Sequence, residues 1–483
     1  MKLTIRQVFF IVLVFCLFLM TLRPISDPDF WWHLRTGQLI VQTNTIPHTD
    51  PFSYTRVGAP WITHEWLSEL LIYALFRLGS YGLLIFTFSI IITAAFLLTY
   101  LRCPAETRPY VAGFALLLGA VATAPTWGVR PQMISLFLTS LFIFLLDRYR
   151  RVPKSKFLIP LPIIMLVWVN LHAGYFLGLA LIGIYVLGGL IDMLVAGFFK
   201  QDQVDTVPTI RSIVKLSITL GACILVTLIN PNGIQIIIYP FQTLTSSSMQ
   251  QFIQEWFSPD FHQLMWQPLA WLILALIGIG MISKKSIPTT NILLTLIFGY
   301  AALISMRNIP FFALAAIPVL AEQVGSLVKI NTAAYTPSRL FKLMVPILLG
   351  AILLITCLRF IQSVQEQPKT DAENFPTTAV DWLLENKPAG HLFNSYNWGG
   401  YLIWRTYPQF RVYIDGRADV YGDAFIFDYI SIYNAKPGWE EKLENQAVQT
   451  VLVESNAPLA NELRQSSAWH IAFTDKLSTI FVK

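Results

Sequence analysis

Charged residues are scarce in this chain of 483 residues: Asp, Glu, Lys and Arg make up 13% of it, against about 25% in an average soluble domain. Hydrophobic residues reach 55%, and the mean hydropathy is +0.56. Too few polar residues remain to cover the several domains into which a soluble chain of this length would divide. The composition therefore excludes the secreted, cytosolic and disordered classes, and it predicts a polytopic α-helical membrane protein.

Cysteines and the familiar catalytic motifs are also few. Cys16, Cys103, Cys223 and Cys357 all lie in or beside apolar runs, so they indicate no disulfide framework. The sequence shows no Gly-rich phosphate loop, no Cys/His spacing typical of a metal site and no Ser/His/Asp order. These absences argue against nucleotide chemistry on the cytoplasmic side.

Apolar runs dominate what is present, and about 20 residues of helix are enough to cross a bilayer. We predict eleven transmembrane helices, near residues 7–23, 83–101, 109–126, 133–146, 157–173, 175–196, 213–230, 268–283, 290–305, 309–325 and 343–359. The first run follows Lys2 and Arg6, but no small-residue cleavage site comes after it. We therefore interpret it as a retained anchor rather than a signal peptide.

Basic residues in the membrane part are unevenly divided between the two sides. With the N-terminus inside, seventeen Lys and Arg fall on the cytoplasmic side and seven on the outer side. The positive-inside rule then predicts a cytoplasmic N-terminus and, with an odd number of spans, an extracytoplasmic C-terminus. Basic loops of this kind report membrane topology, so we expect no nucleic-acid partner.

Two domains are predicted. Residues 1–360 form a transmembrane domain, whose first outer loop is 24–82 and whose second is 231–267. Residues 361–483 carry ten basic and fifteen acidic residues and form a small extracytoplasmic α/β domain. Its sequence patterns predict strands at 391–394, 411–415, 450–454 and 479–482, and helices at 379–385, 424–433 and 457–464.

The first outer loop combines carboxylates with tryptophans. Asp27 and Asp29 stand one residue apart at a predicted membrane boundary, where acids are costly unless they are solvated, paired or bound to a cation. Such a carboxylate can act as a general base on an acceptor hydroxyl, and its neighbour can help to hold Mg²⁺ or Mn²⁺. The alternative is that the acids cap helices and the tryptophans form an interfacial belt. Segments 31–42 and 61–76 are predicted to be interfacial amphipathic helices.

These features resemble the GT-C superfamily of membrane glycosyltransferases, which combines an acidic first outer loop, interfacial helices, many membrane helices and an outer α/β tail. The segment from Asp27 to Arg35 is similar to the loop of the oligosaccharyltransferase catalytic subunit. The chain also resembles bacterial proteins related to protein O-mannosyltransferases and aminoarabinose transferases. One difference is that the loop 126–132 lacks the second acidic pair that oligosaccharyltransferases carry.

The resemblance implies an enzyme of a bacterial plasma (inner) membrane, a hexosyl or pentosyl transferase that uses a lipid-linked sugar. The donor would be a polyprenyl-phosphate sugar, the acceptor a glycan, a lipid or a protein on the extracytoplasmic face, and the transfer inverting. The family's first-loop acid maps best onto Asp27, with Asp29 the next candidate for catalysis and for binding metal. The same loop supplies further candidates for substrate binding, namely His33, Asp50, His64 and Glu65.

Other polar residues on the predicted outer side complete the set of candidates. Arg130 and Arg307, at outer helix ends, are candidates to bind the donor phosphate, unless they extend to lipid headgroups. His172, in a tight outer turn, either binds substrate or caps a helix. The remaining candidates for substrate binding lie where oligosaccharyltransferases carry acceptor-binding elements: Glu255, Trp398, Asp415 and Arg417. The glycines after Trp398 predict either a close backbone approach to a ligand or a structural turn.

Two other functions remain open at this point. A transporter or flippase of lipid-linked glycans would place polar residues on broken helices at mid-membrane, whereas these lie at the predicted outer rim. A non-catalytic membrane assembly protein would work through its tail, and its first-loop acids would be dispensable.

Overall fold

The computed structural model describes residues 3–199, 208–328 and 338–483. Contacts between residues divide the chain into two compact units. The helical unit comprises Met1–Arg23, Ile85–Asn230 and Gln254–Ser363. The sheet-containing unit comprises Pro24–Leu84, Pro231–Ile253 and Val364–Lys483. The first outer loop and most of the second are thus grouped with the C-terminal residues.

Helices make up most of the described chain. In chain order they are α1 (Ile5–Thr21), α2 (Phe30–Thr43), α3 (Trp66–Arg102), α4 (Tyr110–Thr123), α5 (Pro131–Arg151), α6 (Pro160–Leu171), α7 (Tyr175–Phe199), α8 (Ile210–Thr227), α9 (Gln235–Thr245), α10 (Ser247–Phe252), α11 (Gln267–Ile282), α12 (Thr289–Ile304), α13 (Ile309–Leu327), α14 (Arg339–Gln365), α15 (Gln367–Asn374), α16 (Thr377–Asn386), α17 (Gly399–Thr406), α18 (Ala418–Tyr433), α19 (Trp439–Asn445) and α20 (Pro458–Gln465).

Seven helices within the described residues are long and apolar enough to cross a membrane: α3, α5, α7, α8, α11, α13 and α14. Four shorter apolar helices are α1, α4, α6 and α12. Each of the eleven predicted runs coincides with one of these helices, which confirms a polytopic helical membrane fold. The number of helices that cross and their orientation stay predictions. Of the basic residues counted for topology, Lys2, Lys200 and Lys329 lie outside the described residues.

Small side chains and paired charges hold the helical unit together. α4 packs closely on α13, where a Cβ added to Gly119 would lie 2.7 Å from Ile317 Cγ1. Small residues of this kind let membrane helices approach each other closely. Asp147 is buried on α5 and accepts hydrogen bonds from Arg102 Nε at 2.8 Å and from the Tyr185 hydroxyl at 2.6 Å. These bonds connect α3, α5 and α7 through groups that would be costly to bury alone.

α3 is broken near its first third. Gly79 and Ser80 leave the helical conformation, and Ser80 has a φ of 50°. The residues after the break include the predicted span 83–101. The part before it corresponds to the helix predicted at 61–76, which begins only at Trp66.

The C-terminal sheet has four strands within the described chain, β1 (His391–Asn394), β2 (Val448–Glu454), β3 (His470–Thr474) and β4 (Ser478–Val482). Their order is β1-β2-β4-β3. β1 pairs with β2 in parallel, and the other neighbours are antiparallel. Phe393 lies opposite Val451, which lies opposite Phe481, and all three side chains are buried. The predicted α/β domain is confirmed.

In that domain one predicted strand is absent, and β3 and the helices α15, α17 and α19 were not predicted. Residues 411–415 form no strand: Val412 makes one isolated parallel bridge to Ser53, and the Asn394 side chain binds the Tyr413 N–H and the Ile414 carbonyl, each at 2.8 Å. The sequence also gave no indication of β3, whose side chains are mostly exposed or half-buried. Such an edge strand lacks the apolar alternation that marks a half-buried one.

Two tryptophans of the first outer loop, Trp31 and Trp32, lie in the protein interior. Trp31 is 1% exposed and makes edge contacts with Phe375 and Tyr401, at ring-centroid distances of 5.6 and 5.0 Å. Trp32 is also buried. Helix α2 therefore buries its aromatic residues against protein, and these two rings form no lipid-facing belt.

Candidate active site

The two acids of the first outer loop lie at the start of α2. Asp27 Oδ1 accepts a hydrogen bond from the backbone N–H of Asp29 at 2.9 Å, which closes a tight turn. Asp29 holds the N-cap position of α2 without a side-chain capping bond. Its Oδ1 accepts instead the indole N–H of Trp32 at 3.0 Å. Both residues are partly exposed, and these hydrogen bonds restrict the orientation of each carboxylate.

A second backbone segment packs directly on the Asp29 carboxylate. A Cβ added to Gly416 would lie 3.0 Å from Asp29 Cγ, closer still to Oδ1, and 3.3 Å from Trp32 Nε1. A larger residue would therefore have to displace the carboxylate or the indole. Gly416 thus helps to fix the position of Asp29.

The glycines after Trp398 also approach protein. A Cβ added to Gly399 would lie 2.6 Å from Asp415 Cα, and one added to Gly400 would lie 2.6 Å from the carbonyl oxygen of Pro28. Trp398 is buried and donates its indole N–H to the Asn374 carbonyl at 3.1 Å. The close approach that the sequence predicted for these glycines is therefore to backbone and not to a ligand.

Buried acids and imidazoles alternate beside α2. His33 Nε2 lies 3.4 Å from Glu65 Oε2, and His33 Nδ1 lies 3.5 Å from Glu69 Oε1. The other Glu65 oxygen lies 3.4 Å from His64 Nε2. His33, Glu65 and Glu69 are each less than 5% exposed. The network thus compensates buried carboxylates with imidazoles that can carry a proton.

His64 is placed to hold that proton. Its Nδ1 lies 3.1 Å from the Ile62 carbonyl and its Nε2 faces Glu65, so both ring nitrogens face acceptors. Burial lowers the pKa of His64, but the nearby carboxylates of Glu65 and Asp419 outweigh it, and the pKa is raised overall. The ring also packs on Tyr239 of α9 with centroids 4.3 Å apart. This geometry fits an imidazolium.

Arg417 is the centre of a second, fully buried charge cluster. It binds Asp415 through Nε at 2.8 Å and Nη2 at 2.6 Å, and its Nη1 lies 2.8 Å from Asp50 Oδ1. The guanidinium also packs over the rings of Trp61 and Phe52, with centroids at 4.5 and 5.0 Å. All three charged side chains are 0% exposed. This cluster joins the first outer loop to the C-terminal residues, and we expect its main role to be stability.

In the helical unit, Arg130 pairs with Glu255. Arg130 immediately precedes α5; its Nη1 donates to Glu255 Oε1, and its Nε donates to Gln132 Oε1 at 3.0 Å. Glu255 lies in a short 3₁₀ turn, Gln254–Trp256. The Arg130 side chain is 13% exposed and that of Glu255 is 36% exposed. Arg130, which the sequence analysis predicts to bind the donor phosphate, therefore already has an anionic partner in the protein.

Arg307 belongs to the same cluster. It lies in the 3₁₀ turn Met306–Asn308, with its guanidinium carbon 4.6 Å from the centroid of the Trp256 ring. Burial raises the pKa of Glu255, but the charges of Arg130 and Arg307 outweigh it and lower the pKa overall. Two arginines from separate helix ends therefore act on one carboxylate.

His172 follows α6 and is held in a defined tautomer. Its Nδ1 accepts the backbone N–H of Gly174 at 2.8 Å and lies 2.8 Å from Ser135 Oγ. The Trp168 indole N–H in turn donates to Ser135 Oγ at 2.7 Å. Because a backbone N–H can only donate, Nδ1 is an acceptor and the proton of the neutral ring lies on Nε2. His172 is thus an N–H donor fixed by its neighbours.

The His, Cys, Asp and Glu side chains of the described residues do not form a cluster that would hold a metal ion by themselves. Throughout residues 3–199, 208–328 and 338–483, no group of three or more His, Cys, Asp or Glu is arranged to hold one. Asp27 Oδ1 and Asp29 Oδ1 already accept hydrogen bonds from N–H groups. Binding of Mg²⁺ or Mn²⁺ at Asp27 and Asp29 stays a prediction.

The sequence candidates fall into two sets. The sheet-containing unit holds Asp27, Asp29, His33, Asp50, His64, Glu65, Trp398, Asp415 and Arg417, and the helical unit holds Arg130, His172, Glu255 and Arg307. Sequence reasoning missed Glu69 and Asp419, which act on the buried histidines. For Glu69 a signal existed, since it follows Glu65 by four residues, the spacing that aligns side chains on one helix face.

No protein-family model matches the chain, and no curated protein matches it. Several solved structures are similar to it. The archaeal oligosaccharyltransferase AglB from Archaeoglobus fulgidus, in complex with an inhibitory peptide and a dolichol-phosphate, gives a TM-score of 0.54 at 13% identity, over 92% of this chain and 69% of that one. The mycobacterial arabinofuranosyltransferase AftD gives 0.53 at 13% identity, over 100% and 42%. ArnT from Cupriavidus metallidurans in the apo state gives 0.50 at 11% identity, over 98% and 96%.

All three are glycosyltransferases of the GT-C superfamily. This chain therefore is a multi-helix membrane protein with the GT-C fold. The resemblance seen in the sequence is confirmed at the level of the fold, over nearly the whole chain.

Proposed function

We propose that this protein is a membrane glycosyltransferase that transfers a sugar from a polyprenyl-phosphate donor to an acceptor on the extracytoplasmic face, with inversion at the anomeric carbon. The observation that carries the proposal is the pairing of Arg130 with Glu255, with Arg307 packed over the adjacent Trp256 ring, in a chain with the GT-C fold. The similarity to AglB, whose structure contains a dolichol-phosphate, supports a lipid phosphate as the ligand.

The arginines supply positive charge for the leaving group. A phosphate that departs with the electron pair of the broken glycosidic bond gains negative charge, and Arg can bind its oxygens with two parallel N–H bonds. Gln132 orients the Arg130 guanidinium through Nε, and Trp256 supports that of Arg307. His172 offers Nε2–H as a further, neutral donor.

The first-loop acids supply the base. Asp27 takes the proton of an acceptor hydroxyl as the acceptor oxygen attacks the anomeric carbon, and the bond from that carbon to the phosphate oxygen breaks. The attack comes from the face opposite the phosphate, so the configuration inverts. Asp29 is the second candidate, and its hydrogen bond from Trp32 holds it in a fixed orientation.

The other candidates have supporting roles in this proposal. His33, His64 and Glu65 form a network that packs on Trp32, the residue that binds Asp29, and they orient substrate groups through it. The proposed location is a bacterial plasma membrane with the N-terminus in the cytoplasm, which the distribution of basic residues supports.

A transfer assay tests this function. Purified full-length protein in detergent or liposomes is incubated with radiolabelled polyprenyl-phosphate sugars and an acceptor fraction of extracted envelope glycans, lipids and proteins. We expect label to move from the lipid donor to an acceptor only when active protein is present. Movement of intact donor across liposome membranes, without any transfer, would instead support the transporter alternative.

A further inference from the structure

Glu255 binds the guanidinium of Arg130, which the proposed function assigns to the donor phosphate. Arg130 Nη1 donates to Glu255 Oε1, and the positive charge of Arg307 also stabilises the ionised carboxylate. An incoming phosphate and this carboxylate carry the same sign and seek the same N–H donors. The two anions must therefore compete for Arg130.

The backbone that carries Glu255 is held firmly. The Ser305 hydroxyl donates to the Glu255 carbonyl at 2.8 Å, and the Met306 N–H donates to the Phe257 carbonyl at 3.0 Å. These bonds join the turn Gln254–Trp256 to the turn Met306–Asn308. The Glu255 side chain is thus anchored within reach of Arg130.

The two partners differ in how easily they can move. The Glu255 side chain is more than one-third exposed, whereas Arg130 is largely buried and is held a second time by Gln132. Rotation of the Glu255 side chain can carry its carboxylate into water, where an ion is well solvated. Exchange of the carboxylate for a phosphate then leaves the guanidinium in place.

We propose that Glu255 is an internal counter-ion that competes with the lipid phosphate for Arg130 and so promotes release of the polyprenyl-phosphate product. This inference rests on the proposed function. The product needs such help more than the donor, because transfer converts a phosphodiester with one negative charge into a phosphomonoester whose second ionisation has a pKa of about 6. As the phosphate departs, the Glu255 carboxylate takes its place on Arg130, so the arginine always has an anionic partner.

The variant Glu255→Gln tests the inference, because it keeps the length of the side chain and an acceptor oxygen but removes the charge. Purified full-length protein is titrated with a short-chain polyprenyl phosphate. We expect this lipid to bind about tenfold more tightly, or better, to the variant than to the wild type. We also expect kcat to fall, with release of the lipid phosphate becoming slower. Glu462→Gln, at an exposed carboxylate of α20, is the control and should bind as the wild type does.

A second variant protects the test against misfolding. Glu255→Asp keeps the charge but withdraws it by one methylene, so it should also tighten binding, by a smaller factor. Unchanged or weaker binding in both variants, with a wild-type thermal midpoint, would overturn the inference and leave the proposed function intact. Failure of the wild type to bind any polyprenyl phosphate would overturn both.

Discussion

Trp32 orients the Asp29 carboxylate: its indole N–H donates to Asp29 Oδ1 at 3.0 Å, one helical turn into α2. The Trp32 ring is itself packed against His33, with ring centroids 3.6 Å apart, and against the edge of Trp61. Gly416 packs closely against the same carboxylate oxygen. A partly exposed acid is therefore held by a buried aromatic residue, which is an arrangement suited to positioned chemistry.

Gly416→Ala should disturb this arrangement directly. The new Cβ would overlap Asp29 and crowd Trp32 Nε1, and a shift of Asp29 would also move the N–H that binds Asp27. We expect overpacking of this kind to cost about 1–3 kcal/mol of stability, and turnover to fall by more than the lost folded fraction explains. Gly183→Ala, whose Cβ would meet nothing within 4 Å, is the control. Wild-type turnover in Gly416→Ala would show that the position of Asp29 is unimportant.

Arg417→Met should be strongly destabilising. It removes the charge that compensates Asp415 and Asp50 in a fully buried cluster. Removal of one member of a buried ion pair typically costs about 3–5 kcal/mol. The control is Lys483→Met, since Lys483 and its partner Glu444 are exposed, and exposed pairs are worth about 0–1 kcal/mol. Equal unfolding midpoints for the two variants would contradict this account of the cluster.

The contribution of His64 should depend on pH. Its pKa is raised in the folded protein, so the folded state binds the proton more tightly than the unfolded chain does. Its stabilising effect is therefore complete below the unfolded value of about 6.5 and is lost as the pH rises through the folded value. We expect the difference in thermal midpoint between wild type and His64→Gln to be larger at pH 6 than at pH 8.5. A difference that is constant or grows with pH would contradict a protonated His64 beside Glu65 and Asp419.

The membrane fold could be predicted from sequence because a bilayer demands long apolar helices, and all eleven runs coincide with helices. Short tail segments were less predictable. The pattern of 411–415 is that of a strand, but backbone pairing is limited to an isolated bridge at Val412, and the Asn394 side chain binds the next two residues instead. A side chain that substitutes for backbone pairing leaves no periodic signal.

The candidate site was predictable in its residue types but not in its pairings. Arg130 and Glu255 were separate candidates, 125 residues apart, and no local spacing indicates that they bind each other. The first-loop tryptophans show the opposite problem. Their composition suggests a membrane interface, whereas Phe375 and Tyr401, far along the chain, enclose Trp31 in protein.

Loss of either cluster arginine should weaken donor binding. Removal of one partner of a buried charged contact costs about 2–5 kcal/mol, which corresponds to at least about thirtyfold in affinity. We expect this effect for Arg130→Ala and Arg307→Ala, measured as the Kd for a polyprenyl-phosphate sugar. Arg411→Ala removes the same charge at an exposed position and is the control. Unchanged affinity for the donor in both Arg130→Ala and Arg307→Ala would indicate that these arginines contact lipid headgroups instead of the donor phosphate.

The most direct test of the central claim is the turnover of Asp27→Asn and Asp29→Asn. General-base catalysis typically contributes about 10² to 10⁴-fold, and Asn keeps the shape and the acceptor oxygen that binds the Asp29 N–H or the Trp32 indole. Wild type and both variants are compared at matched expression and thermal midpoint, with one donor and one acceptor. We predict that Asp27→Asn loses at least about a hundredfold in kcat while its affinity for the donor is retained. Near-normal turnover in both stable variants would contradict the account, because the first-loop acids would then be structural.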